Sequence, residues 1–219
     1  MTRIVNNCVA LVCLCLFWGQ SLRAADASHS EQIKWGNESV FNEEHNTLGL
    51  FSGVLGGQIV LAGGTSDDYS RWGRNAVCLS ENAGFALYED VLSKPLAYGA
   101  SITLSDGILC IGGRDSSQCY EDVFFVTMQQ GKLNVSEDWP PLPFPLSNAA
   151  GALLNNKVYL FGGRKSVSPS RLSDSFFVLD LSNKSRGWKE LPGYPGCVRE
   201  DAILVVQNNG VSPCLYLLG

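Results

Sequence analysis

A pair of glycines closes a short apolar run three times in this chain, at residues 63, 112 and 162. The copies read Gly56-Gly57-Gln58-Ile59-Val60-Leu61-Ala62-Gly63-Gly64, Asp106-Gly107-Ile108-Leu109-Cys110-Ile111-Gly112-Gly113 and Asn156-Lys157-Val158-Tyr159-Leu160-Phe161-Gly162-Gly163. Each places a turn, a β-rich run and the glycine pair in the same order. The steps of 49 and 50 residues are far too regular for an ordinary β-sandwich. They imply a supersecondary unit that buries its faces only against copies of itself. A fourth run, Cys214 to Gly219, stops at its first glycine.

More than the glycines repeats. Asp122-Val123-Phe124-Phe125-Val126 is matched by Asp174-Ser175-Phe176-Phe177-Val178, and Trp139-Pro140-Pro141-Leu142-Pro143 by Trp188-Lys189-Glu190-Leu191-Pro192. Ahead of the second and third glycine runs, and of the fourth, lie Gly99-Ala100-Ser101-Ile102-Thr103-Leu104, Ala149-Ala150-Gly151-Ala152-Leu153-Leu154 and Asp201-Ala202-Ile203-Leu204-Val205-Val206. The pattern predicts four short strands per unit, separated by turn residues and without helices between them. Small residues in the first strand suit a crowded innermost position, and glycine pairs allow close backbone approach. The tryptophans are expected to fill the space between neighbouring units. The first unit is the weakest copy, with Asn75-Ala76-Val77-Cys78-Leu79 in place of the aromatic third strand. This unit resembles the kelch repeat, one blade of an all-β propeller.

The start of the chain is read separately. Met1-Thr2-Arg3 is basic, Val9 to Trp18 is apolar, and Arg23-Ala24-Ala25-Asp26-Ala27 offers small residues at a cleavage spacing. Residues 1–27 are therefore expected to be a secretory signal peptide, the apolar run being too short to span a bilayer. The protein is then exported, to a periplasm or outside the cell. Residues 28–219 form a partial kelch propeller, with blades at about 48–97, 98–147 and 148–198 and an incomplete one at 199–219. The remaining blades are expected beyond residue 219. Open terminal blades would allow head-to-tail self-association.

Removing 27 of the 219 residues leaves 192, with 14 basic and 20 acidic side chains and a net charge of −6. That charge argues against nucleic acid, and against a membrane once the signal is cleaved. Five cysteines remain, Cys78, Cys110, Cys119, Cys197 and Cys214, without metal-ligand spacing. Two readings stand for them: a Cys110–Cys119 bridge across a hairpin, or buried thiols. His29 and His45 supply neither a metal cluster nor a catalytic triad.

Propeller topology brings the residue after each glycine pair to the same face as the residues entering each first strand. The first set holds Thr65, Ser66, Asp67, Asp68, Arg114, Asp115, Arg164 and Lys165; the second holds Leu48, Tyr98, Asn148, Arg199, Glu200 and Asp201. Arg114, Arg164, Arg199 and Tyr98 are the candidate substrate-binding residues, and the arginines suit a small anionic ligand. The alternative is that each arginine pairs with Asp115, Glu200 or Asp201, and that Tyr98 packs between blades.

Ala97-Tyr98-Gly99-Ala100-Ser101 leading into the second glycine run, with Leu191-Pro192-Gly193-Tyr194-Pro195-Gly196-Cys197-Val198-Arg199-Glu200-Asp201 and the segment Gly53 to Gly64, resembles the exported N-acetylneuraminate epimerases, or sialic acid mutarotases. The order of the units is similar to that of the cyclically permuted branch of this family. The resemblance implies a six-bladed propeller that interconverts the α and β anomers of N-acetylneuraminate without metal or redox cofactor. It also implies a catalytic glutamate directly after a glycine strand with an arginine nearby. The matching positions here hold Thr65, Arg114 and Arg164, so the catalytic residues are unassigned. Only Tyr98 and Arg199 carry over as cavity residues. A noncatalytic kelch module that binds a sugar or a protein remains the competing reading.

Overall fold

The computed structural model describes residues 48–80 and 84–219. The expected signal peptide, His29 and His45 lie outside the described residues. Among the described residues, sixteen strands follow one another, with one short 3-10 helix at Leu181–Arg186. The first sheet contains β1 (Phe51–Leu55), β2 (Gln58–Ala62), β3 (Ala76–Ser80) and β4 (Gly84–Tyr88), hydrogen-bonded in that order. The second contains β5 (Ala100–Thr103), β6 (Ile108–Ile111), β7 (Val123–Gln129) and β8 (Lys132–Ser136), again in chain order. The third unit starts with β9 (Ala150–Leu154) and β10 (Lys157–Phe161), is interrupted by the hairpin β11 (Arg164–Ser166) and β12 (Arg171–Leu172), and ends with β13 (Phe176–Asp180) and β14 (Lys189–Leu191). Its order is β9-β10-β13-β14. A two-stranded sheet of β15 (Ile203–Asn208) and β16 (Pro213–Leu218) follows.

The hairpin turns are those that right-handed strand twist favours. Gly56 and Gly57 join β1 to β2 at φ 55° and 78°, Gln130 and Gly131 join β7 to β8 at 50° and 74°, and Asn155 and Asn156 join β9 to β10 at 50° and 58°. Register repeats with the sequence: Phe51 lies opposite Ala62, Ala100 opposite Ile111, and Ala150 opposite Phe161. Despite its weak sequence, the first unit pairs as a full four-stranded sheet.

The sheets pack face to face, so the alternation of side chains along a strand assigns each residue to one of two cores. In β6, Ile108 and Cys110 join Phe51, Val60 and Phe124 on the side of the first sheet. Leu109 and Ile111 face the other way, toward Val158, Leu160 and Phe177 of the third. A strand buried on both faces must be apolar throughout, which is why Ile-Leu-Cys-Ile shows no alternation. A third cluster joins Ala150, Ala152 and Phe161 to Leu204.

The innermost strands show why small polar residues stand there. Ser52 N donates to Ser101 Oγ (3.1 Å) and Val54 N to Thr103 Oγ1 (3.2 Å), linking β1 to β5. A Cβ on Gly53 would stand 2.6 Å from Ile108 Cγ1. The tryptophans lie between units: Lys184 Nζ of the third unit stands 4.4 Å from the centroid of the Trp139 ring of the second, and Trp188 Nε1 donates to Pro140 O at 3.0 Å.

All five described cysteines are free thiols. The Cys110 side chain points into the first core, whereas Cys119 Sγ stands 3.4 Å from Ser147 Oγ. Of the two readings, the structure has Cys110 and Cys119 as buried thiols and not as a bridge, while Cys197 is exposed and Cys214 partly covered. Burial pushes the Cys78 and Cys110 thiols above their ordinary range. Native-state alkylation followed by peptide mass mapping is expected to modify exposed Cys197 first, with Cys78 and Cys110 slower by more than about tenfold. Equal rates would contradict this packing.

Candidate functional site

The glycine pairs set the geometry at one end of the sheets. Gly63, Gly112 and Gly162 have φ of 71°, 62° and 67°, and Gly64, Gly113 and Gly163 donate their N–H to Leu96 O (2.9 Å), Leu146 O (2.8 Å) and Arg199 O (2.9 Å). The residue after each pair is then held by two backbone hydrogen bonds: Thr65 with Leu48, Arg114 with Ala97, and Arg164 with Ser147. The strand end of one unit is thereby tied to the entry of another.

The next residue at each entry is left-handed: Gly49 (φ 64°), Tyr98 (61°), Asn148 (55°) and Asp201 (55°). These four form a backbone chain. Tyr98 N donates to Gly49 O (2.7 Å), Asn148 N to Tyr98 O (2.7 Å) and Asp201 N to Asn148 O (3.0 Å). Holding non-glycine residues at positive φ costs about 1–2 kcal/mol each, which the hydrogen bonds of this inner rim offset. The rim also carries side-chain bonds, with Asn148 Nδ2 donating to Asp201 Oδ1 at 2.8 Å.

The candidate arginines have different environments. Arg164 makes a bidentate pair with Glu200, Nε to Oε2 at 2.7 Å and Nη2 to Oε1 at 2.6 Å, with both side chains about three-quarters covered. The hydrogen bond to Glu200 raises its pKa further. Arg199 donates Nη1 to Gly219 O and Nε to Cys197 O (3.4 Å) and stands 5.2 Å above the Tyr194 ring. Two of the three candidate arginines are thus engaged by neighbours, Arg164 most firmly, which is the alternative of local pairing for that residue.

Arg114 makes no salt bridge among the described residues. Its guanidinium stands 4.5 Å from the Tyr98 ring centroid, 5.1 Å from that of Trp72 and 6.0 Å from that of Tyr69. Its Nη1 donates to the Asp115 carbonyl at 3.3 Å, and its Nε is enclosed without a hydrogen-bond partner. Asn148 Oδ1 on the rim is likewise enclosed and unpartnered. Although burial opposes its charge, the Asp115 carboxylate is held down at about 2 by Tyr120, Ser117 and Gln118. Its Oδ2 takes the Tyr120 hydroxyl (2.6 Å), and its Oδ1 takes Ser117 and Gln118. The acid next in sequence to Arg114 is thus committed to its own loop.

Tyr98 is placed with Arg114, and burial, then the Tyr69 phenol, push its hydroxyl above its ordinary range. Tyr69 and Trp72 are site residues that sequence reasoning missed. They return to the rim because Ser66 Oγ and Ser70 both donate to Asp68 Oδ1 (2.6 Å from Ser66), while Thr65 Oγ1 donates to Arg71 O (2.7 Å). The bond from Ser66, with those from Ser70, lowers the Asp68 pKa to about 2. The available signal was two aromatic residues in an otherwise polar loop.

A separate cleft of about 240 Å³ opens beside Leu92, Lys94, Asp122 and Trp139, where Lys94 pairs with Asp122 at 2.9 Å. It shares no residue with the rim. Among the described residues, no group of three His, Cys, Asp or Glu side chains is placed to hold a metal, and no helix is long and apolar enough to cross a membrane.

Residues 145–192 match the Kelch motif. Over 77% of its length the chain superposes on 68% of the solved structure of YjhT, with a TM-score of 0.60 at 10% identity. The fold is a kelch-type β-propeller. Curated relatives include an N-acetylneuraminate epimerase of Vibrio cholerae, 31% identical over 100 residues, which are 46% of this chain and 23% of that protein. Another is an N-acetylneuraminate epimerase of Yersinia pestis, 32% identical over 84 residues, 38% of this chain and 19% of that protein. The matched segments of this chain thus span under a quarter of the length of these relatives.

Proposed function

We propose that this chain is an N-acetylneuraminate epimerase-like kelch propeller whose intact form interconverts the α and β anomers of sialic acid. It acts outside the cytoplasm after export. The observation that carries the reading is Arg114, a cation without a carboxylate partner among the described residues, standing beside Tyr98 at the inner rim. Sialic acid is a sugar that carries a carboxylate, the group a guanidinium recognises best. The similarity to proteins named N-acetylneuraminate epimerase supports the same substrate.

Anomer exchange requires a base to take the proton of the anomeric hydroxyl while an acid protonates the ring oxygen, so that the ring opens and recloses on the other face. Tyr98, with its pKa raised, is a neutral donor near pH 7 and a poor base. Glu200 has both oxygens engaged by Arg164, and Asp201 accepts from Asn148. Among the described residues, the rim therefore offers an anchor and a proton donor, with Glu200 already engaged by Arg164.

NMR on freshly dissolved β-N-acetylneuraminate tests both halves of the proposal. Saturation transfer from the protein to the sugar is expected, with anomer exchange no faster than in buffer. Absence of binding would remove the sialic acid reading; clear acceleration would place the acid–base pair within this chain.

A further inference from the structure

We propose that Tyr69, Trp72 and Tyr98 form an aromatic box that makes Arg114 a one-edged receptor for a carboxylated sugar ring, with Tyr69 and Trp72 as specificity-determining residues. The proposal rests on the preceding section only for the choice of sialic acid as one probe. Three rings lie within 4.5–6.0 Å of the same guanidinium carbon. Such a box holds a cation through the ring quadrupoles without neutralising it, whereas a carboxylate partner would cancel its charge. Arg164, held by Glu200, illustrates the second case.

The box also restricts how an anion approaches. A guanidinium presents two edges to a carboxylate, one carrying Nε and one Nη, the other carrying both Nη atoms. Arg114 Nε is enclosed, which closes the first. Nη1 already gives one hydrogen to Asp115 O at 3.3 Å. One hydrogen on Nη1 and two on Nη2 remain, and with Nε–H enclosed only the two-Nη edge can present a pair of them, so a carboxylate held by two hydrogen bonds arrives end-on.

The walls are positioned independently of any ligand. A Cβ on Gly49 would lie 2.8 Å from Tyr98 Cγ, so the glycine backbone is pressed against the Tyr98 ring. Trp72 Nε1 donates to Tyr69 O at 3.1 Å, and the Trp72 and Tyr98 ring centroids are 6.3 Å apart. Tyr69 is 50% exposed, and its ring centroid is 6.0 Å from the guanidinium carbon, so part of this aromatic side chain is open to a ligand. A pyranose carrying a carboxylate offers the complementary pair, an anion and an apolar face of C–H groups. An uncharged sugar offers only the second.

The test titrates the protein with N-acetylneuraminate, glucuronate and the uncharged N-acetylmannosamine, following the Arg114 side-chain nitrogens by ¹⁵N NMR and affinity by calorimetry. Both acids are expected to shift the Arg114 resonances, and the uncharged sugar to leave them in place. Arg114→Met should weaken acid binding by at least about tenfold, and Tyr69→Ala and Trp72→Leu each by about three- to tenfold, with Lys94→Gln in the distant cleft unchanged. Tyr69→Ala, an exposed site, keeps the test open should Trp72→Leu misfold. If glucuronate binds and N-acetylneuraminate does not, the receptor stands and the sialic acid reading falls. If N-acetylneuraminate binds Arg114→Met with full affinity, the receptor is overturned and that reading survives. Failure of both acids to bind, or wild-type affinity in Tyr69→Ala, also overturns the receptor.

Discussion

Gly112→Ala is expected to destabilise the protein by about 3–5 kcal/mol, whereas Gly131→Ala should cost only about 1–2 kcal/mol. Both glycines are left-handed, at φ 62° and 74°, so both substitutions incur the same backbone penalty. They differ in what a methyl group meets. At Gly112 a Cβ would lie 2.2 Å from the Leu146 carbonyl oxygen; at Gly131 nothing lies within 4 Å. That carbonyl accepts the N–H of Gly113 at 2.8 Å, so moving it aside opens the bond joining the end of β6 to the entry of the third unit. Urea unfolding of the two variants beside the parent measures the difference. Equal midpoints would mean that the glycine pairs serve only backbone conformation, with no role in close approach.

Phe177→Ala should lose about 3–5 kcal/mol and Phe176→Ala about half as much. The two residues are neighbours in β13, yet the strand sends them to opposite faces. Phe177, 1% exposed, enters the core shared by the second and third sheets, 5.4 Å from the Phe144 ring. Phe176 is half-buried on the other face, near Tyr159 and Phe161 at 5.9 and 6.0 Å. Thermal or urea denaturation of each variant decides the assignment. A larger loss at Phe176 would mean that the register pairing Phe177 with Leu160 is wrong.

Much of this fold was legible in the sequence because its units repeat. Each glycine pair, small-residue strand and paired phenylalanine marks the same position in a new copy, and local backbone chemistry acts alike in all of them. The entry residues Tyr98 and Asn148 were legible for the same reason, but the sequence placed Leu48 with them where the rim has Gly49, and did not separate Asp201 from Arg199 and Glu200. Less was legible of the site. The sequence offered Asp115, Glu200 and Asp201 as partners for the arginines without selecting among them, and adjacency along the chain misleads here. Asp115 follows Arg114 directly but binds Tyr120, while Glu200 reaches across to Arg164. Tyr69 and Trp72 lie outside the repeating positions, in a loop whose path depends on the hydrogen bonds between Ser66, Asp68 and Ser70.

By itself, then, the sequence determined the architecture: a period near 50 residues, strands alternating about that period, and glycines where only a left-handed, closely approached backbone fits. These are properties of each unit taken alone. The tertiary structure decided which charges are neutralised and which stay available, making Arg164 part of an ion pair and leaving Arg114 among three aromatic rings. The physical reason is that electrostatic partners are chosen by distance in space and by burial, and both appear only when one blade is set against the next.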